Sequence, residues 1–367
     1  FSSLASDLIE WSLSLPLSLL CDSKPYPAHM SMHTHKLSRS NLTKPKLVVL
    51  PSQKPGRTQS VRQKFLWRRL RRERMTSQWS SVLRRNEMGG AMATINSIYS
   101  NTDASVFFYI VTLRDSIKLT RQYIEKTTLK GIKYKLLEFN PMLLKGKVKP
   151  DSSRPDMLHP LNFVRFYLPL LDISHKRVIY LDDVIVQGTD IDIKDLYHTK
   201  LEKGRAAAFA TDCDLPSTHE MVRSMGMQDN VHGLPGLQEV RDLGINPSDC
   251  SFNPGVFVAD IGEWKKQKIT KQLEKYSAMA GGVATPPMLT VFHDKYAIID
   301  PLWHVRHLGW SPDARNSETF LQGAHLLHWN SRFKPWDYPC VHLDRWEKWF
   351  IPDPTRKFLL VRLEGKI

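Results

Sequence analysis

Three apolar runs in this chain end on aspartate: "VIYLDD" (178–183), "AAAFATD" (206–212) and "NPGVFVAD" (253–260). Short continuous apolar runs of this kind read as strands buried on both faces, the pattern of a parallel sheet covered by helices. Stretches between them carry the other period. "GGAMATINSIYSNT" (89–102), the segment 114–128, "PLNFVRFYLPLL" (160–171) and "IGEWKKQKITKQLEKY" (261–276) space their apolar residues as helices do. "SVFFYIVTL" (105–113), "GIKYKLLEF" (131–139) and "AHLLHWNS" (324–331) read as further strands. Alternating strands and helices predict a mostly parallel α/β sheet flanked by helices. Ligands of such sheets sit at the carboxyl ends of the strands, where these aspartates lie.

The charge of the chain says where order begins. Its formal net charge is +15, yet residues 1–85 hold 16 Lys/Arg against only 4 Asp/Glu. The basicity therefore belongs to a Ser/Pro-rich leader, residues 1–87, expected to be disordered or non-native, with the folded domain over 88–367. Nucleic-acid binding through residues 54–85 is outweighed, because the remainder carries no such motif. "LIEWSLSLPLSLLC" (8–21) is short for a membrane span and is interrupted by Glu10 and Pro16. The chain opens on Phe1 rather than Met, so an N-terminal anchor is expected to be missing or garbled here. Cys21, Cys213, Cys250 and Cys340 match no zinc spacing. A Cys213–Cys250 disulfide suits an oxidising compartment; buried free thiols are the alternative.

A set of motifs in fixed order is more specific. "PLNFVRFYLPLL", "VIYLDDVIVQG", "AAFATDCD", "CSFNPGVFVAD", "LWHVRHLGW", "LLHWNSRFKPW" and "WEKWFIPDP" together resemble glycosyltransferase family 8 over roughly residues 88–365. The resemblance implies a GT-A-like fold (a nucleotide-diphospho-sugar transferase sheet), a nucleotide-sugar donor, usually a UDP-sugar, and Mn²⁺ or Mg²⁺. It also implies transfer with retention to a glycan or protein acceptor, and a single-pass type II Golgi membrane protein with a lumenal catalytic domain. Residue by residue, it places Asp182, Asp183 and His328 at the metal. Lys334 and Trp336 of "KPW" would meet the cofactor, and Arg165, Asp212 and Asn253 would line the donor-sugar pocket as catalytic residues. The chemistry is coherent: oxygen ligands suit Mn²⁺ or Mg²⁺, one imidazole favours Mn²⁺, and a lysine meets phosphate as a point charge. Each residue also has a plain structural use. A strand-end carboxylate can cap a helix, a lone histidine can be a core hydrogen-bonding group, and Asn253 before Pro254 and Gly255 can simply make a turn.

The chain departs from the family at several points around this one site. The family branch reads "YLDDDVIVQG", and here one Asp is absent. Aligned from the left, Asp182 keeps the first metal position and Val184 falls on the second. Aligned from the right, Asp183 keeps the second and Leu181 falls on the first. The slot of the first strand reads "QWSSVLRRNE" (78–87), a poor buried strand, while the apolar "LVVL" (47–50) lies far upstream. "KYSAMAGGVAT" is short, the Asp-Gln pair of the wider family is absent near residue 286, and Ser331 replaces Gly in "HWNS". These losses read either as a pseudoenzyme or as misplaced exon boundaries, and the intact folding motifs favour the second.

Overall fold

The computed structural model describes residues 78–83, 88–148, 159–182, 185–188, 191–211, 242–246, 249–279, 284–309, 316–330, 333–336 and 340–356. All of them fall within one of the two units into which the chain divides; the other, Leu15–Arg74, lies outside the described residues. The strands are β1 (Gln78–Leu83), β2 (Phe107–Thr112), β3 (Lys133–Glu138), β4 (Arg177–Leu181), β5 (Ile185–Gln187), β6 (Ala207–Thr211), β7 (Phe252–Asp260), β8 (Ala297–Ile298) and β9 (Leu326–His328). Seven of them form one sheet in the order β3-β2-β1-β4-β7-β6-β8. Its pairings are parallel except on the two sides of β7, which runs antiparallel to β4 and to β6. The mostly parallel α/β sheet anticipated from the alternating pattern is therefore present.

The period of two explains how this sheet is filled. Val178 and Tyr180 of β4 turn to one face with Tyr109, Val111, Phe209 and Phe257. Ile179 and Leu181 turn to the other with Phe108, Ile110, Val256 and Val258. Each such side chain is worth about 1.5–3 kcal/mol when removed from water, so a strand slip by one residue would forfeit a face. The first face is covered by a 3-10 segment, Pro160–Phe166, and by helices α4 (Ile261–Lys266), α5 (Ile269–Met279) and α6 (Thr285–Phe292). The second is covered by α1 (Met88–Ser100), α2 (Ile117–Glu125) and α3 (Ile193–Tyr197). Stacked rings reinforce the first face: Phe209 and Phe252 at 4.0 Å between centroids, Tyr180 and Phe257 at 4.8 Å.

Three expectations are corrected. The slot 78–87 does hold the first strand: β1 pairs with β2 on one side and β4 on the other, so the sheet begins ten residues ahead of Met88. Its sequence, QWSSVL, is not a continuous apolar run, yet backbone pairing on both sides holds it extended; β2 and β4 would otherwise each carry an unpaired edge. The segment 160–171 is two 3-10 pieces, Pro160–Phe166 and Leu168–Leu170, rather than one helix, since Pro169 supplies no N–H. The helix expected over 261–276 breaks at Lys268, whose backbone is left-handed (φ 56°). Asp260 ends β7 and caps α4 at once, its Oδ1 accepting from Glu263 N at 2.8 Å, so strand passes into helix with no loop. "LVVL" and the segment 8–21 lie outside the described residues. No helix among the described residues is long and apolar enough to cross a membrane. Cys250 is disulfide-bonded, with its other half outside the described residues, and Cys340 keeps its thiol, whose Sγ lies 3.7 Å from Phe333 O.

Candidate functional site

At the carboxyl end of β4 the ladder continues one residue, with Asp182 N donating to Gly255 O at 2.8 Å. The chain leaves the main sheet and by Ile185 belongs to a second ribbon, in which Ile185 stands opposite His328 of β9. That switch lets one strand serve both sheets, and it brings His328 to the end of β4. Val305 lies beside the ribbon, its N donating to Leu326 O at 3.0 Å while its O accepts from His328 N at 2.8 Å. The preceding residue, His304, ends a 3-10 turn (Pro301–His304) and is fully buried.

Asp182 is held by two side chains. Arg165 Nη2 donates to its Oδ1 at 2.8 Å and Tyr180 Oη donates to the same oxygen at 3.1 Å. Arg165 is a buried residue of the 3-10 segment whose Nη1 also donates to Pro254 O at 2.7 Å and whose guanidinium lies 5.0 Å from the Tyr180 ring centroid. Arg165 therefore clamps the first turn of β7 to the end of β4. Asp182 Oδ2 is left to face inward. A methyl group placed on Gly255 would come within 2.6 Å of His328 Cε1, 2.8 Å of Asp182 Oδ2 and 2.9 Å of Asn253 Oδ1. Gly255 is thus the floor onto which three of the expected site residues converge. Asn253 Oδ1 accepts from Gly255 N at 2.8 Å, which leaves its amide hydrogens to offer.

The imidazoles are kept neutral. His328 Nδ1 lies 2.9 Å from His304 Nε2, the rings almost parallel at 18°. Burial, then His304, Lys334, Arg165 and Arg306, hold His328 well below the ordinary histidine value. Burial, followed by His307 and Arg165, pushes His304 down to about 3, and burial with Arg306 does the same to His307. Neutral imidazole is the form that accepts a cation. Lys334 Nζ donates to Trp329 O at 2.7 Å, which fixes its stem near the same cluster. The loop carrying it is closed by Gly309 (φ 78°), whose missing Cβ would lie 2.0 Å from Phe333 O.

Asp182, Asn253, Gly255 and His328 come together, with Arg165 behind Asp182. Trp336 packs in a third apolar cluster against Trp346, with ring centroids 6.2 Å apart. Asp183 and Asp212 lie outside the described residues, although Thr211, next to Asp212, pairs with Phe252 beside Asn253. Among the described residues no three His, Cys, Asp or Glu side chains gather as a metal-holding group. The pair that is described suits a divalent ion in kind: a carboxylate oxygen and an imidazole edge converge over Gly255, so closely that a methyl group there would collide with both. Sequence reasoning gave no role to Tyr180, Gly255 or His304. "LWHVRH" and "LLHWN" are both legible motifs, but only the ribbon shows that their histidines touch.

Comparison with known proteins gives the family and the fold. Residues 67–340 match the Glycosyl transferase family 8 profile, a span that includes β1. The human glycosyltransferase 8 domain-containing protein 2 is 59% identical over 287 residues, covering 74% of this chain and 81% of that protein. The human glycosyltransferase 8 domain-containing protein 1 is 48% identical over 291 residues, covering 76% and 78%. Among solved structures, the galactosyltransferase LgtC in complex with donor and acceptor sugar analogues superposes with a TM-score of 0.57 at 15% identity, covering 76% of this chain and 99% of that one. That likeness shows the fold, which is GT-A. The chain belongs to glycosyl transferase family 8.

Proposed function

We propose that the chain moves a sugar from a UDP-sugar to a glycan or protein acceptor with retention, assisted by Mn²⁺ or Mg²⁺, in the Golgi lumen. The observation that carries this reading is the opposition of Asp182 Oδ2 and His328 across Gly255 at the end of the central strand. Asp182 and His328 would hold the ion, which when bound supplies positive charge against the departing diphosphate. Arg165 and Tyr180 orient the carboxylate so that Oδ2 points into the gap. Lys334 has two further N–H donors beyond the one given to Trp329, enough for phosphate oxygens. Asn253 offers its amide hydrogens to the donor sugar. Retention permits attack from the face the diphosphate leaves, with the phosphate itself taking the acceptor proton, so no protein base is required.

UDP release from a panel of UDP-sugars tests the reading, with the anomer of the freed sugar followed by NMR. Release from at least one donor, stopped by chelation and giving the donor's own anomer first, is expected. A second reading, a silent relative that binds nucleotide-sugar or a partner protein, draws on the single carboxylate described beside His328. Tight UDP binding with no release from any donor would favour it.

A further inference from the structure

His304 has no part in the reaction above, yet it is placed with economy. It is fully buried, its Nε2 is 2.9 Å from His328 Nδ1, and its own Nδ1 finds no hydrogen-bond partner among the described residues. A buried nitrogen left unpaired is costly. An apolar side chain in the same place would pack against the same neighbours but leave the buried His328 Nδ1 without this partner, so what the histidine adds here is its contact to His328.

Tautomers account for it. A neutral imidazole has one N–H and one lone pair, so two neutral rings joined nitrogen to nitrogen share a single hydrogen. If His304 donates, His328 carries its own hydrogen on Nε2 and has no lone pair left for a cation. If His328 donates through Nδ1, its Nε2 lone pair is free, and His304 carries its hydrogen on the orphaned Nδ1. We propose that His304 is a positioning residue: its Nε2 accepts the His328 Nδ1–H, fixing the ring and tautomer in which His328 Nε2 receives a divalent cation. The arrangement is that of a metal-ligating histidine whose second nitrogen is held by an outer partner. The proposal rests on the metal-assisted reading, and its test separates the two.

The full chain with UDP is titrated with Mn²⁺. Affinity is read from the EPR signal of the free ion, and imidazole ligation from the ¹⁴N coupling in pulsed EPR. His304→Leu should weaken Mn²⁺ by about 10–100-fold and lose the ¹⁴N coupling. His304→Gln, whose Oε1 can reach the place of Nε2 and accept, should restore both. His304→Asn, whose amide falls short at the place of Nδ1, should not. The Gln and Asn pair decides the matter even if the Leu variant fails to fold. Wild-type affinity and coupling in the Asn or Leu variant, with both lost in His328→Ala, would overturn the role of His304 and leave the metal reading standing. Wild-type protein that shows no ¹⁴N coupling would overturn both.

Discussion

The two ends of β4 are built from similar side chains and behave differently. At the amino end, Arg177 Nη1 donates to Tyr197 O at 2.9 Å and to Thr199 O at 3.2 Å, while Tyr109 Oη, Ser174 Oγ and His175 Nδ1 satisfy one another at 2.7–3.3 Å. At the carboxyl end, Arg165 and Tyr180 both serve one oxygen of Asp182, the other oxygen turns toward Gly255, and His304 Nδ1 has no hydrogen-bond partner among the described residues. One end spends its polar groups on the fold. The other holds capacity in reserve, in a region crowded with cations, and that surplus is what an anionic donor with its metal would use.

Asp182→Asn should separate the ends most sharply. UDP release should fall about 100-fold or more, as the ion and the orientation by Arg165 are lost together. Stability should drop by about 2–3 kcal/mol in denaturant melts, because the buried Arg165 guanidinium loses the charge of Asp182. Gly255→Ala tests the gap itself. The methyl group must displace His328 or Asp182, costing about 1–3 kcal/mol of stability and weakening Mn²⁺ binding. A variant that binds Mn²⁺ normally would mean the gap is not the ion's place.

Acid sharpens the contrast further. His304 is held at about 3 in the folded chain against an ordinary 6.5, so below pH 6.5 the unfolded chain binds protons that the folded chain refuses. Stability should be flat with pH above 6.5 on this account, then fall as pH drops from 6.5 toward 3. His304→Gln should reduce that limb, leaving the share of His307 and His328. His175→Gln should flatten it less, since burial lowers the half-exposed His175 by a smaller amount. Tyr109→Phe is the mildest change. Losing its hydrogen bonds to Ser174 and His175 should cost about 1 kcal/mol and leave Mn²⁺ and UDP binding untouched.

Much of this fold was legible because its strands announce themselves. β4, β6 and β7 are apolar runs that end on acid or polar residues, and their alternation with helices was enough to specify the sheet. β1 was not legible, because QWSSVL is not a continuous apolar run and the strand is held by backbone pairing on both sides. The 3-10 segment of 160–166 was misread for a related reason: its apolar spacing is that of a helix, and the prolines alone mark the difference. At the site, Asp182, Asn253 and His328 were named from motifs, and the structure gathers them around Gly255. Arg165 was expected in the sugar pocket; its described contacts include Asp182, Pro254, Asn162 and the Tyr180 ring. His304 was invisible as a partner of His328, since the two lie 24 residues apart and meet only through Val305 pairing beside β9.

The most direct measurement is calorimetry of UDP binding to the full chain, β1 included, with and without Mn²⁺, beside His328→Ala. The account predicts binding by the wild-type chain that depends on Mn²⁺ and a variant that loses that dependence. UDP binding of equal strength with and without Mn²⁺, unchanged in His328→Ala, would contradict it.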